Sequence, residues 1–179
     1  VYAGQAMGFL RFNTASLNLL ALLIEWGAES AAKCAQVADL RARSVFDERF
    51  SVYSTVYFDI QVAKEFGRSQ RYALPFSLIF VGLGDFVGPS EEARESALKI
   101  VSRVLRESAR SIDAVTLTPY ADAPFALLMP TATRETAVES RASLREAFAK
   151  LQLPAPVSFG IGSYAASMKS KEELIEQAK

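Results

Sequence analysis

Residues 74–83 have the sequence Leu-Pro-Phe-Ser-Leu-Ile-Phe-Val-Gly-Leu, which is a nearly continuous apolar run of strand length. Such a run is typical of a central strand that is buried on both faces of its sheet. A helical repeat of apolar residues precedes it, from Asp47 to about Arg71, and another follows, from Ser90 to about Arg110. A strand between two such helices predicts a sheet with helices packed on its faces.

Two shorter strands are predicted beyond the second helix, over Ala114–Thr118 and Phe125–Met129. The turn between them is short and contains prolines, which predicts an antiparallel hairpin. A helix over Thr133–Lys150, a strand over Val157–Tyr164 and a C-terminal helix complete the order. This order predicts an α+β fold of ferredoxin-like type, with helices flanking a partly antiparallel sheet.

The N-terminal part has a different organisation. The opening segment, Val1–Phe12, is predicted to be the last strand of a preceding domain. From Ser16 to about Val45, apolar residues recur at spacings of three and four, which predicts one helix of about 28 residues, roughly 40 Å long. A helix of this length suits a connector or a dimerising stalk, and packing within one compact body is an equal alternative. Because the chain starts with valine and lacks a signal-peptide pattern, we expect it to be a fragment of something longer.

Composition excludes several classes of function. The chain has 179 residues, of which 50% are hydrophobic, with no histidine and one cysteine. The hydrophobic fraction provides enough apolar surface for a folded core. Without histidine the chain lacks the usual proton shuttle, and with one cysteine it lacks the ligands of a structural zinc site. Lys and Arg (20) balance Asp and Glu (20). A net charge of zero provides no broad field for a nucleic-acid polymer, so an anionic partner would need a local arginine cluster.

Four segments, in order, carry a resemblance to a known family. Asp47–Phe58 stands where the family has D-x-L-T-G-L-x-N-R-R-x-F and keeps its first Asp and last Phe. Leu74–Val81 is similar to P-L-S-L-L-L-I, Ala121–Pro130 occupies the place of G-G-D-E-F-A-x-L-L-P, and Val157–Gly162 is similar to V-S-I-G-V-A. From about Asp47 to its C-terminus the chain therefore resembles a GGDEF domain, the fold of bacterial diguanylate cyclases. The resemblance implies a GGDEF-type, nucleotide-cyclase sheet with flanking helices.

The cyclase chemistry of that family depends on carboxylates that this sequence lacks. Joining two GTP molecules requires divalent cations, which bind carboxylate oxygens. Where the family has D-x-D, this chain has Gly82 and Gly84 on either side of a leucine, and Asp85 is one position out of register. The signature positions hold Ala121, Asp122, Ala123, Pro124 and Phe125. We therefore expect a degenerate domain with no metal, no cofactor and no cyclase activity.

A second motif of the family is present. Arg110-Ser111-Ile112-Asp113 matches the inhibitory-site motif R-x-x-D, which in the family binds cyclic di-GMP. An arginine fork can bond the O6 and N7 atoms of guanine or brace a phosphate, and an aspartate can accept from guanine N–H groups. Alignment with the family's R-L-R-x-A pattern selects Arg145 as the second arginine, with Arg141 as the alternative. The alternative interpretation is a surface Arg110–Asp113 pair that caps a helix.

The segment before the GGDEF-like region carries a second resemblance, which points to a smaller group of proteins. Met7–Leu10, followed by the leucine-rich Ala15–Leu23, is similar to the end of a GAF domain. We therefore expect residues 1–45 to be a GAF remnant with its connecting helix and residues 46–179 to be the degenerate GGDEF domain. This combination resembles a family of cyclic di-GMP receptors in Pel exopolysaccharide assembly. That resemblance implies membrane spans upstream, a location at the cytoplasmic face of the inner membrane, membrane-bound polysaccharide synthesis proteins as partners and a homodimer.

The sequence favours a non-catalytic cyclic di-GMP receptor over two alternatives. One alternative is a dimerising signalling scaffold that binds no nucleotide. The other is a weakly active cyclase that uses displaced carboxylates such as Asp85 and Asp122.

Overall fold

The structure is a computed structural model that describes residues 14–84, 90–151 and 153–179, without the side chains of residues 14–21 and 37–43. The predicted strand Val1–Phe12 lies outside the described residues. The chain divides into two units, Val1–Ala42 and Arg43–Lys179, and each is described by itself.

The first unit is dominated by helix α1, Thr14–Arg43, which confirms the predicted long helix. The side chains described along it are exposed, including large apolar ones: Leu22, Leu23, Ile24 and Trp26. Among the helices described, none combines the length and apolar character required to cross a bilayer.

The second unit confirms the predicted order of helices and strands after residue 54. Its elements are β1 (Phe46–Asp47), β2 (Val52–Tyr53), α2 (Thr55–Tyr72), β3 (Phe76–Leu83), α3 (Glu91–Ser108), β4 (Ala114–Leu117), β5 (Phe125–Pro130), α4 (Arg134–Ala149), β6 (Val157–Ser163) and α5 (Lys171–Ala178). The helix starts are set by hydroxyl caps: Ser54, Ser90 and Thr133 each accept a hydrogen bond from a backbone N–H in the first turn of α2, α3 and α4.

The strands form one six-stranded mixed sheet in the order β1-β2-β4-β5-β3-β6. β2 and β4 pair in parallel, whereas the other neighbours are antiparallel. The predicted hairpin is β4–β5, in which Ala114 pairs with Leu128. β3 lies between β5 and β6, so that Leu78 pairs with Leu128 on one side and Gly162 on the other. The predicted α+β architecture with helices flanking the sheet is confirmed.

Alternate side chains of β3 fill two cores. Ile79 and Val81 belong to the cluster that packs under α3 and α4. Leu78 and Phe80 belong to the cluster that packs under α2 and α5. Both faces of the strand are buried, as its continuous apolar sequence predicts.

The prediction that the helix before β3 starts at Asp47 is wrong. Residues 46–53 instead form the small antiparallel pair β1–β2, and α2 begins at Thr55. The Asp47 carboxylate accepts hydrogen bonds from the backbone N–H groups of Arg49 and Phe50, which holds a turn. Ser51 adopts a positive φ of 53°, which a helix does not allow. Side-chain hydrogen bonding to the backbone therefore replaces the helix that the apolar spacing predicts.

The last helix, α5, lies directly against β6 because β6 contains glycine at the contact. A Cβ atom added at Gly160 would overlap the carbonyl oxygen of Ala178 in α5. Gly67 is the contrasting case, because it is exposed in the interior of α2 with no atom within 4 Å of an added Cβ.

We expect opposite effects of alanine at these two glycines. Gly160→Ala forces α5 away from the sheet and lowers the free energy of unfolding by about 1–3 kcal/mol, as overpacking does. Gly67→Ala raises it by up to about 1 kcal/mol, because alanine is the better helix former. Urea unfolding of both variants and the wild type measures this. An unchanged midpoint for Gly160→Ala would contradict the packing of α5.

Candidate functional site

The predicted motif residues Arg110 and Asp113 form a close ion pair just after α3. The Arg110 Nε donates to both carboxylate oxygens of Asp113, at 3.2 and 3.0 Å, and its Nη2 donates to Oδ1 at 2.9 Å. The backbone N–H of Arg110 also donates to Asp113 Oδ2 at 2.9 Å, and the Asp113 N–H donates to the Arg110 carbonyl. The motif is therefore a compact turn in which side chain and backbone hold the same carboxylate.

The two members of the pair differ in exposure. The Asp113 side chain is 2% exposed and the Arg110 side chain 43% exposed. The hydrogen bond to Asp113 raises the pKa of Arg110 above its ordinary value, against a smaller effect of burial, so the guanidinium stays charged. Arginine has five N–H donors, and the ion pair with Asp113 uses only the Nε donor and one Nη donor, so three donors are not used by this pair. The geometry presents a positioned, partly exposed guanidinium.

Arg145, the predicted second arginine, lies on α4. Arg145 is exposed on α4 and lines a cavity that also includes Pro156 and Val157 at the start of β6. At the start of β6, Val157 pairs with Leu83 of β3. At the start of β4, directly after Asp113, Ala114 pairs with Leu128 of β5, and Leu128 in turn pairs with Leu78 of β3. Five residues of strand at about 3.3 Å each place the start of β6 and the start of β4 roughly 17 Å apart along the strand direction.

Arg141, the alternative second arginine, is also exposed and lies one helical turn nearer the start of α4. Among the described residues, neither Arg141 nor Arg145 forms an ion pair or hydrogen bond with the Arg110–Asp113 pair. The cavity beside Arg145 has a volume of about 310 Å³, and its other lining residues include Phe148, Leu153 and Phe159. Arg145 therefore lines a cavity together with apolar side chains.

The turn at the signature positions, residues 118–124, is organised by its own hydrogen bonds. The Thr118 hydroxyl donates to the carbonyl of Ala123 and accepts from the N–H of Tyr120. The N–H of Ala123 donates to the carbonyl of Tyr120, and Pro124 has no N–H. Few backbone donors are left for a phosphate. Thr118 is not among the residues predicted from the sequence to form this site, although a hydroxyl before proline is a recognisable turn signal.

The structure describes all the positions that were expected to be degenerate; Asp85, the nearby carboxylate, lies outside the described residues. Ala121 and Asp122 are exposed, Ala123 is half-buried, and Phe125 is fully buried in the core. The ring of Tyr120 packs edge-on against Phe58 and Phe80. The turn is thus held to the domain by aromatic packing on the face under α2 and α5.

The positions where the resemblance implies a divalent cation do not fit one. A Cβ atom at Gly82 would collide with the carbonyl oxygen of Asp122 and the Ser158 hydroxyl. The N–H of Gly84 donates to the Pro156 carbonyl at 2.8 Å, and a Cβ at Gly84 would press on the Pro156 ring. Within residues 14–84, 90–151 and 153–179, no cluster of three carboxylate, histidine or cysteine side chains is arranged to hold a metal. A Mg²⁺ ion needs several oxygens, and these positions supply packed glycines instead.

The aspartate retained from the first family segment has a structural role. The Asp47 carboxylate accepts from the backbone N–H groups of Arg49 and Phe50, and the Arg49 Nη2 donates to its Oδ2 at 2.9 Å. Burial of Asp47 acts to raise its pKa, but the hydrogen bonds from Arg49 and Phe50 together outweigh burial and lower the pKa below the ordinary 3.8. Asp47 thus anchors the β1–β2 turn.

With this geometry in place, comparison with solved structures identifies the fold. The GGDEF domain of FimX from Pseudomonas aeruginosa has a TM-score of 0.68 at 16% identity, over 75% of this chain and 89% of that one. The coiled coil and GGDEF domain of DgcB from Caulobacter crescentus, solved in complex with c-di-GMP, has a TM-score of 0.69 at 16% identity, over 89% and 90%. A DGC protein from Thermotoga maritima has a TM-score of 0.59 at 24% identity, over 74% and 98%.

These similarities show that the chain has the GGDEF-domain fold, as the sequence predicts. No protein-family model matches the sequence, and no curated protein matches it. The class of fold is therefore established by structure, and what the domain does is a separate question.

The anchoring role of Asp47 predicts a pH-dependent contribution to stability. A lowered pKa in the folded state means that the ionised carboxylate stabilises the fold above about pH 4 and that this contribution disappears as pH falls through the folded-state pKa. We expect Asp47→Asn to lower the free energy of unfolding at pH 7, and we expect this difference from the wild type to shrink progressively as the pH falls below about 4. Urea unfolding across this range measures it, with the exposed neighbour Glu48→Gln as control. A difference that stays constant with pH would contradict the assignment.

Proposed function

We propose that this domain is a non-catalytic receptor for cyclic di-GMP, which binds at Arg110 and Asp113 and regulates exopolysaccharide synthesis and export. The observation that carries the proposal is the Arg110–Asp113 turn, in which a buried carboxylate orients a guanidinium that is 43% exposed. GGDEF domains of the same fold have been solved with c-di-GMP, including that of DgcB and one described as showing a novel interaction mode. The dinucleotide is thus the ligand that this fold most directly supports.

Recognition rests on matched hydrogen-bonding chemistry. The free N–H donors of Arg110 suit the guanine O6 and N7 acceptors or a phosphodiester oxygen, all of which favour a planar, charged fork. In the structure, the Asp113 carboxylate accepts hydrogen bonds from the Arg110 side chain. Ligand binding in the R-x-x-D manner requires Asp113 to accept from guanine N1–H and N2–H, so Arg110 shifts toward the ligand as Asp113 changes partner.

The proposal that the domain is not an enzyme is supported by the packing around Gly82 and the turn at residues 118–124, at the opposite end of the sheet from Arg110. Gly82 packs against the backbone of Asp122, so the strand has no room there for a metal-binding carboxylate. In the turn at residues 118–124, the N–H groups of Tyr120 and Ala123 are used internally, and Pro119 and Pro124 have none. A cyclase needs both a metal site and an approach for the nucleotide phosphates.

We further propose that the chain belongs to a receptor of the PelD type. The support is the order of segments: a junction similar to the end of a GAF domain, a long helix, and a GGDEF fold that keeps R-x-x-D while its signature positions have changed. On this proposal, membrane spans precede the chain, the domain lies at the cytoplasmic face of the inner membrane, and its protein partners are membrane-bound components of Pel polysaccharide synthesis.

Arg145 has a restricted place in this proposal. Among the described residues, no hydrogen bond or ion pair joins it to Arg110 or Asp113. Its role as the second arginine, with Arg141 as the alternative, rests on the alignment with the family's R-L-R-x-A pattern.

Calorimetric titration with cyclic di-GMP tests the receptor function. We expect the wild type to bind at micromolar ligand concentrations and Arg110→Ala to lose at least about tenfold in affinity, because charge-assisted hydrogen bonds are lost. Arg110→Lys keeps the charge but not the fork, and we expect it to bind nearly as weakly.

Arg94→Ala serves as the matched control, because Arg94 is an exposed arginine at the opposite end of α3. Thermal unfolding of each variant separates loss of binding from loss of fold. No heat with the wild type, or equal affinity of Arg110→Ala, contradicts the receptor and leaves the dimerising scaffold, which the exposed Leu23, Ile24 and Trp26 of α1 favour.

Enzymatic activity is tested separately. We expect incubation with GTP and either Mg²⁺ or Mn²⁺, followed by chromatography, to give no cyclic di-GMP, because the expected cation positions are packed glycines. An active diguanylate cyclase under the same conditions is the positive control. The appearance of a cyclic product would show that carboxylates such as Asp122 do support metal binding, and the non-catalytic proposal would be wrong.

A further inference from the structure

A groove outside the motif gathers four cations from two separate elements. It lies between the β1–β2 turn and α3, has a volume of about 310 Å³, and is lined by Arg49 from the turn and by Lys99, Arg103 and Arg106 from α3. The chain as a whole has a net charge of zero. This concentration of positive charge is therefore a local feature of the folded unit, created when the turn is brought against the helix.

The cations are only partly balanced by neighbouring carboxylates. Arg49 pairs with Asp47, and Lys99 pairs with Glu95 at 2.7 Å. Glu95 is also close enough to Arg49 to act on its charge. Within the part of the chain that the structure describes, Arg103 and Arg106 have no ion-pair partner.

Three of these cations are neighbours on one face of α3. Lys99 and Arg103 are separated by four residues and Arg103 and Arg106 by three, which are the spacings at which like charges on a helix repel each other. An anion in the groove relieves this repulsion, whereas an ordinary solvated helix face more often alternates its charges. The repulsion therefore marks the groove as a surface suited to a negative ligand.

The groove also has an apolar part. Phe50 and Ile100 line it together with the cations, and the Arg49 guanidinium lies over the Phe50 ring at 5.3 Å from its centre. A volume of about 310 Å³ is at the small end of ligand sites, close to the size of a mononucleotide. Free guanidinium groups bind phosphate oxygens in a bidentate manner, and the apolar residues suit the rest of a compact ligand.

We infer that this groove is a binding site for a phosphate-bearing small molecule, with Arg103 and Arg106 as its principal phosphate ligands. The site is separate from the Arg110–Asp113 pair, whose hydrogen bonds involve none of the groove residues. The phosphate can belong to a free mononucleotide or to a phosphodiester of a larger ligand, and the experiment distinguishes these sources.

The test is titration of the full 179-residue chain with inorganic pyrophosphate, GMP and cyclic di-GMP at constant ionic strength. We expect wild-type binding of pyrophosphate and an increase in its dissociation constant of about tenfold or more in Arg103→Gln/Arg106→Gln, because two charge-assisted contacts are lost. Pyrophosphate should also raise the Tm of the wild type and leave that of the double variant unchanged.

Two controls make the outcome specific. Arg94→Gln removes an exposed α3 arginine outside the groove and should bind pyrophosphate like the wild type. Arg110→Ala should also keep pyrophosphate binding, so failure of the receptor proposal is distinguishable from failure of this one. Thermal unfolding without ligand shows whether the double variant is folded, and loss of like-charge repulsion favours its folding.

The titrations with GMP and cyclic di-GMP identify which kind of molecule supplies the phosphate. If the double variant loses GMP binding but keeps cyclic di-GMP binding, the groove takes a separate mononucleotide; if it loses both, the groove holds a phosphodiester of the dinucleotide. Either result supports the site. Absence of binding of all three probes to the wild type, or equal affinity of the double variant for pyrophosphate, overturns it.

Discussion

The antiparallel pairing of β3 with β5 on one side and β6 on the other is the constraint on which the rest of the second unit depends. Leu78 and Phe80 enter one core and Ile79 and Val81 enter the other, and all four are at most 2% exposed. A slip of one residue would exchange these faces and place every side chain of the strand in the wrong core. Because α3 and the β4–β5 hairpin are attached to this strand and its neighbour, its register determines which loops meet at each end of the sheet.

The register of β3 places two candidate regions at opposite ends of the sheet. At one end of the sheet lie Gly82 and the turn at residues 118–124, where a cyclase would need its cations. The other end carries Arg110 and Asp113, level with the far part of β3. Gly82 packs against the Asp122 carbonyl at the first end, and this contact involves neither Arg110 nor Asp113. On the proposed function, this separation is why a domain can lack metal chemistry and still present a guanidinium that binds ligand.

Much of the fold follows from patterns in the sequence, and the exceptions have identifiable causes. Residues 74–83 and the apolar repeat of α3 are long, regular signals, so they predict their elements well. The β1–β2 pair has two residues in each strand and depends on the hydrogen bonds of Asp47, so it leaves no periodic trace. Because the β1–β2 pair was not predicted, the predicted helix began about two turns before the observed start of α2.

The candidate site shows the same limit of sequence reasoning. A motif four residues long predicts the Arg110–Asp113 contact because both residues lie in one turn. The placement of Arg145 depends instead on how far α4 travels along the sheet, which a local alignment does not contain. The spacing around Gly82 shows that a carboxylate is missing, but only the three-dimensional packing shows that the Asp122 carbonyl takes the space.

The two proposed sites are joined by α3. Arg106 lies in the last turn of that helix, and Arg110 follows it four positions later in the chain. Val101 and Leu105 pack the same helix into the core. Whatever effect an anion in the groove has on the affinity for a ligand at Arg110, linkage makes that effect reciprocal. Two separate anions repel each other, whereas the phosphates of a single ligand that reaches both regions are already held together by covalent bonds. The sign of any coupling therefore depends on whether one molecule or two supplies the negative charge.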